Sequence, residues 1–331
     1  MAALANPPVS PLRSNLTKDD DLLTELRQAL GRLFNISDWE RIFFCSSATD
    51  AINRVLQGIS WRHCSFSPDS HNSILRPLHN NIRTDSNGAY SLMAINHCSN
   101  VTGEIADVRN ECGKSHQANS LLLLDAAQSA GCIPIDVDGW GVDILVFTGH
   151  KSLLGPTGTG GYYVRRGIGF RPSQYGGTGR DSKVIEYSDG NWEYEVGTQN
   201  MAGLSGLKAG VDFVLEHGVE IIQRQEHELT LWLINKLKSI PNVLLYTAST
   251  PKAQGPVVSF NIKGLNPSDV GYILQNSYGI TVRTGLHCSP LIHKTLGTER
   301  HGTVRVSLSY FTTQQDLQAL VQAVRNISNS L

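Results

Sequence analysis

Long apolar runs are missing from this chain. No stretch approaches the ~20 residues that a membrane-spanning helix needs, so no membrane partner is expected. An excess of one charge is missing as well. Lys and Arg number 28 against 29 Asp and Glu, for a net charge of −1, and no basic run occurs. That balance offers nothing to nucleic acid or to an anionic surface. Cysteine is sparse: six are scattered over 331 residues and none forms a CxxC pair. The density is too low for a disulfide scaffold and points to reduced thiols in a cytoplasmic setting. No metal site is expected. The opening "MAALANPPVSPLRSN" carries one Arg and no apolar core of signal-peptide type. It reads as a loose end, with a processed targeting peptide as the alternative. Internal repeats and low-complexity tracts are absent, and Asn-x-Ser/Thr triplets mean nothing without a secretory signal.

An α/β pattern is what remains. Leu22, Leu26, Leu30 and Leu33 fall on one face of a helix, "RIFFC" reads as a short buried strand, and "SSATDAIN" opens another helix. Two continuous apolar runs, "SLLLLD" and "VDILVFT", predict strands covered on both faces, as in a parallel sheet. Ligands collect beyond the carboxyl ends of such strands. Asp125 stands at one end, and His150 and Lys151 at the other. Leu204, Leu207, Val211 and Val214 mark a helix, and a longer one is predicted over 218–238. Short strands in "PVVSFNI", "GITVRTG" and "TVRVSLSYF" and a closing helix follow, with Thr312 and Gln315 as its capping box. The expected division is a large domain over 18–215 and a smaller α+β domain over 216–331.

Lys151 lies in "FTGHKSLLGPTGTGG". A phosphate-gripping loop of the GxxxxGK[ST] kind needs Gly directly before Lys; here His150 takes that place and the glycines follow. A surface lysine in a turn is the plain alternative. The chemical alternative is a lysine whose amine condenses with an aldehyde, which calls for a buried, desolvated position. Pyridoxal phosphate (PLP), the usual aldehyde cofactor, needs an acid at its ring nitrogen, phosphate ligands at a helix start, a flat partner on the ring and a cation for the substrate carboxylate. Asp125 can be the acid, Thr49, Thr148 and His150 the phosphate ligands, His71 the ring partner and Arg305 the cation. Each has an ordinary reading alone: a strand-end cap, a helix cap, a core histidine, half of a salt bridge. Their order along the chain is the specific signal.

These motifs, with "HNSILRPL", "NHCSNVTG", "EVGTQN" and "VRTGLHCSPL" in the same order, resemble the class V aminotransferase family, within it the cysteine desulfurase and selenocysteine lyase branch. The resemblance covers roughly 20–328 and implies a fold-type I, PLP-dependent homodimer with the cofactor on Lys151. Asp125 would then pair with the ring nitrogen, His71 stack on the ring and Gln128 bond the phenolic oxygen. Thr49, Thr148 and His150 would hold the phosphate, with Thr198 of the "EVGTQN" segment reaching over from the partner subunit. Asn100 and Arg305 would hold the substrate carboxylate, with Arg283 nearby.

Cys288 stands apart from Cys45 and Cys132, which suit small apolar core positions. His287 and Ser289 flank it and Arg283 is close in sequence. A polar, cation-bearing loop favours the nucleophilic thiolate. In desulfurases of the family the cysteine of this motif accepts the sulfur. The implied reaction takes sulfur from L-cysteine, or selenium from selenocysteine. It gives alanine and a persulfide on Cys288 for a sulfur-acceptor protein.

The chain departs from the family in two places. A Leu-Asp-Asn-Ala-Ala stretch usually precedes the first long helix; here the N-terminal region reads as shortened. The stretch between His71 and Asn100 is also brief, which predicts a sheet that has lost a strand and exposes unpaired edges. Alternative readings are an aminotransferase, C–S lyase or epimerase that uses PLP without a persulfide, or a truncated non-catalytic relative.

Overall fold

The computed structural model describes residues 22–80, 87–177, 183, 185 and 194–330. The N-terminal stretch, and with it the question of its shortening, lies outside the described residues. Contacts divide the chain into two units. The first runs up to Phe66 and takes in Ser73–Ile95 and Asp107–Val219; the second joins Ser67–Asn72 and Asn96–Ala106 to Glu220–Leu331.

The first unit contains helix α1 (Leu22–Phe34), strand β1 (Ile42–Cys45), α2 (Ala48–Gly58), β2 (Trp61–Phe66), α3 (Asn72–His79, its first residue in the second unit) and β3 (Tyr90–Asn96, its last residue likewise). Then come α4 (Val108–Gln117), β4 (Ser120–Asp125), the single turn α5 (Val137–Trp140), β5 (Ile144–Thr148), β6 (Gly160–Val164) and α6 (Met201–His217). Six strands form one sheet in the order β1-β6-β5-β4-β3-β2. The β2–β3 and β4–β5 pairs are parallel, and β6 runs antiparallel to both its neighbours. Every residue of β5 is buried, and so are the last five of β4. This is why those runs are continuously apolar rather than alternating. Phe43, Ile52, Val55, Leu123, Val146 and Tyr162 meet in the core.

Among the described residues the strand order is continuous across the stretch between His71 and Asn100. β2 pairs directly with β3, with the eight-residue α3 between them in sequence. Residues 81–86 lie outside the described part. β2 closes that edge with Arg62 and His63 exposed, a charged margin that discourages further pairing. "GGYYV", which has no strand signal beyond its aromatics, forms β6. Glycine is required there at 160: a Cβ would come within 2.9 Å of the Ser47 backbone. That close approach seats the start of α2 beside the sheet.

The second unit holds α7 (Val219–Lys238, its first residue in the first unit), β7 (Val243–Tyr246), β8 (Val257–Ile262), α8 (Pro267–Tyr278), β9 (Arg283–Gly285), α9 (Pro290–Leu296), β10 (Thr303–Ser307) and α10 (Gln314–Asn329). Its antiparallel sheet runs β7-β8-β10-β9. Leu233, Leu237, Phe260, Val304, Leu320 and Val324 pack in its core. "GITVRTG" yields only the three residues of β9, and β7 is an element that the sequence reading lacks. The cap of α10 also shifts by one residue. Thr313 accepts from the Asp316 amide, and the Asp316 carboxylate receives the Thr313 amide and hydroxyl. Thr312 instead closes the preceding turn, accepting from Ser309 N at 3.0 Å.

Segment Asn96–Ala106 is held to the second unit by backbone and side-chain bonds. Ile105 N donates to Ala253 O at 2.8 Å and Gly255 N to Gly103 O at 2.7 Å. The buried Gln254 amide donates to Thr102 O, Gly255 O and Val257 O and accepts from Ala248 N. Gly103 has φ +75°, and a Cβ on it would lie 2.2 Å from Gln254 Nε2, so only glycine serves there.

Two histidines of this unit are buried as neutral rings. Burial pushes His97 down to about 4. Burial, helped by the charges of Arg305, His293 and Arg283, pushes His287 down to about 3. The unfolded chain takes up these protons near the ordinary value of 6.5. As pH falls below that value the unfolded state binds more protons than the folded one. Stability is therefore lost on acidification, at about 1.4 kcal/mol per pH unit per histidine. Thermal melts between about pH 6.5 and 4.5 check this: a steady fall is expected, and a flat profile would contradict it.

Candidate active site

In the first unit, four elements bring the expected residues to the carboxyl ends of β4 and β5. Asp125 ends β4, 5% exposed, and its Oδ1 accepts from Ala127 N at 2.9 Å. Gln128 follows on the turn, and Lys151 Nζ donates to its Oε1 at 3.4 Å. Lys151 lies past β5 on a turn closed by Leu154 N to Lys151 O and Gly155 N to Gly149 O. That turn leaves the lysine side chain exposed in the single chain, in place of the buried position that the sequence reading expected.

Buried Thr148 sets its Oγ1 3.0 Å from His150 Nδ1. Partial burial, and then the Lys151 charge, hold His150 below its ordinary range, which favours a neutral ring. Thr49 is not a helix cap. Ser47 is, accepting from Asp50 N at 3.2 Å, and Thr49 stands exposed in the first turn of α2. The amides of that turn have no helical acceptor and attract anions. Thr198 is exposed on the segment before α6. A buried acid, an amide carbonyl beside an ammonium, and hydroxyls at a helix start form a donor set suited to a protonated aromatic ring with an oxygen substituent and a phosphate.

The remaining predicted residues fall in the second unit. His71 is half-buried, and the amide of Asn72, next to it, donates to Cys288 O at 2.7 Å. Cys288 follows β9 on a sharp turn. His287 and Cys288 both take left-handed backbone, φ +52° and +63°, a conformation that costs roughly 1 kcal/mol or more at each non-glycine position. Arg283 Nη2 points at Cys288 Sγ from 3.1 Å.

Arg305, on β10, donates through Nη1 to Asn100 O at 3.0 Å, while its buried Nε has no protein partner. Desolvation, and then Arg283, push Arg305 down to about 10, partly offset by Cys288. Among the described residues no carboxylate pairs with it, so the unit offers a desolvated guanidinium to an incoming anion. Asn100 also makes two side-chain bonds beside the cysteine. Its Nδ2 donates to His287 O at 2.6 Å and its Oδ1 accepts from Ser289 Oγ at 2.8 Å.

Cys45, Cys64 and Cys112 have thiols pushed up to about 12, chiefly by burial, and are poor nucleophiles. All six cysteines are thiols. Among the described residues no cluster suits a metal ion, and no helix is long and apolar enough to cross a membrane. Thr303, whose Oγ1 lies 2.9 Å from His287 Nε2, escaped the sequence reading, and Ser289 entered it only as a neighbour of Cys288. A serine before proline reads simply as a helix cap, and a strand threonine has no signal of its own.

Comparison with known proteins identifies the family. Residues 74–320 match the family Aminotransferase class-V. A probable cysteine desulfurase of Methanothermobacter thermautotrophicus is 31% identical over 342 residues, spanning 92% of this chain and 84% of that protein. The apo structure of a cysteine desulfurase from Thermococcus onnurineus superposes with a TM-score of 0.84 at 27% identity, covering 97% of this chain and 89% of that one. The cysteine desulfurase CsdA of Escherichia coli, solved with an S-sulfonic acid, gives 0.84 at 25% identity, covering 99% and 90%. By sequence and by fold, therefore, this chain belongs to the class V aminotransferase family, and its fold is that of the cysteine desulfurases.

Proposed function

We propose that this chain is a PLP-dependent cysteine desulfurase that converts L-cysteine, or selenocysteine, to alanine and leaves the chalcogen on Cys288. The observation that carries the reading is the second-unit cluster: a half-buried cysteine on a strained turn faced by Arg283, and Arg305 with its buried Nε unpartnered.

The first-unit donor set fits the cofactor. Lys151 would attach it, Asp125 face the ring nitrogen and Gln128 the phenolic oxygen. Thr49, Thr148 and His150 would hold the phosphate, joined in a homodimer by the partner copy's Thr198. His71 would lie against the ring. When bound, PLP supplies an electron sink for negative charge at the substrate α-carbon.

Arg305 binds the substrate carboxylate, with Asn100 beside it, and desolvation makes that pairing stronger than it would be in water. Lys151 Nζ takes the proton from Cα and returns it. The Cys288 thiolate attacks the substrate sulfur: an Sγ–S bond forms and the substrate Cβ–S bond breaks. The released electron pair takes a proton, so that alanine leaves and a persulfide stays. A sulfur-acceptor protein then discharges Cys288. The six thiols suit a reducing, cytoplasmic compartment.

The product of cysteine turnover tests the reading. Alanine in a one-to-one ratio with persulfide or sulfide is expected. Pyruvate would mark a C–S lyase, and a keto acid made only with an amino acceptor would mark an aminotransferase.

A further inference from the structure

The turn that carries Cys288 is costly in isolation. Two consecutive non-glycine residues, His287 and Cys288, sit in left-handed backbone. Such a turn persists only when its surroundings over-determine it. Four ties do so, all within the second unit. Asn72 N holds Cys288 O. Thr303 Oγ1 meets His287 Nε2. Asn100 Nδ2 donates to His287 O, and Ser289 Oγ donates to Asn100 Oδ1. The last two make a fork: one buried amide grips the turn on both sides of the cysteine.

Ser289 shows what this fork displaces. It stands at the N-cap of α9, where a serine ordinarily accepts from the helix amides. It makes no such bond here. The hydroxyl, fully buried, is spent on Asn100 instead. Asn100 in turn receives Arg305 Nη1 at its own carbonyl, so one residue joins the carboxylate-binding arginine to the turn that bears the nucleophile.

We infer that Asn100, acting through Ser289 and His287, is a positioning residue that locks the Cys288 turn and so aims its sulfur. This role goes beyond carboxylate binding, and it rests on the desulfurase reading only for its catalytic consequence.

Ser289→Ala and Asn100→Asp test it in the cofactor-loaded protein. The first removes the hydroxyl; the second keeps the acceptor for Ser289 but sets an oxygen against His287 O. Two readouts are taken. One is the rate at which iodoacetamide alkylates Cys288, followed by peptide mapping. The other is the split between kcat and KM for cysteine. A loosened turn exposes the thiol: alkylation is expected to rise about fivefold in both variants, with kcat down about tenfold and KM within about twofold in Ser289→Ala. Unchanged cofactor absorbance and circular dichroism show that the variants fold. Should either variant misfold, Thr303→Val, which cuts the separate tie to His287, is expected to raise alkylation in the same direction. Wild-type alkylation rates in the folded variants would overturn the lock. If the wild-type protein makes no alanine, the desulfurase reading fails, and the alkylation rates still decide the lock.

Discussion

Cys288→Ala abolishes alanine formation from cysteine, by about a thousandfold or more, and leaves cofactor binding intact. The asymmetry follows from where the residues lie. The proposed donor set for PLP, His71 apart, lies in the first unit, at the ends of β4 and β5 and the start of α2, while Cys288 belongs to the second. Removing one sulfur from the second unit leaves Asp125, Gln128 and Lys151 in place. Cys45, Cys64 and Cys112 cannot stand in, because burial holds them as neutral thiols, and Cys98 and Cys132 are buried in the core. Arg283 loses the partner of its Nη2 but stays solvated, so the fold suffers little. The measurement is alanine release under steady-state conditions beside the visible spectrum. Full turnover in the variant would remove the persulfide from the mechanism.

Lys151→Ala is expected to be as damaging to rate, by about a thousandfold or more, and it fails in a different way. Here the cofactor is retained poorly, and borohydride treatment leaves no label at position 151. In the wild-type protein the same treatment, followed by peptide mapping, is expected to place the label on Lys151. Lys151→Arg keeps the charge but has no amine to condense or to carry the Cα proton, so it fails equally. Restored activity in Lys151→Arg would mean that the lysine serves only as a cation. A label on another lysine would move the whole assignment.

What the sequence made legible was the chemistry at the ends of buried strands. "SLLLLD" and "DILVFT" are apolar on both faces because both faces are covered, and that placed Asp125, Thr148 and Lys151 without any knowledge of pairing. β6 was illegible because its glycines answer to neighbours far off in the sequence, Gly160 to the Ser47 backbone and Gly161 to that of Phe43. The cap of α10 was missed by one position. Thr312 and Thr313 both have a polar partner three residues on, and only the carboxylate of Asp316 closes the box. The membership of 67–72 and 96–106 in the second unit depends on bonds to residues 253–257 and 287–289. No local periodicity records such bonds. The same is true of the grip of Asn100 on the Cys288 turn: its two ends are 187 and 189 positions apart.

The Gln254 amide and the backbone bonds around Gly103 have a consequence for how the molecule is made. During synthesis residues 96–106 leave the ribosome roughly 150 residues ahead of the carbonyls and amides that will receive them, a delay of about 7–30 s at ordinary elongation rates. Until then the amide of Ile105 and the carbonyl of Gly103, which pair with Ala253 and Gly255, have only water. The strand on which Arg305 lies emerges later still. Asn100 is thus translated early and seated late, and a nascent chain halted before β10 still lacks the Thr303 tie to His287.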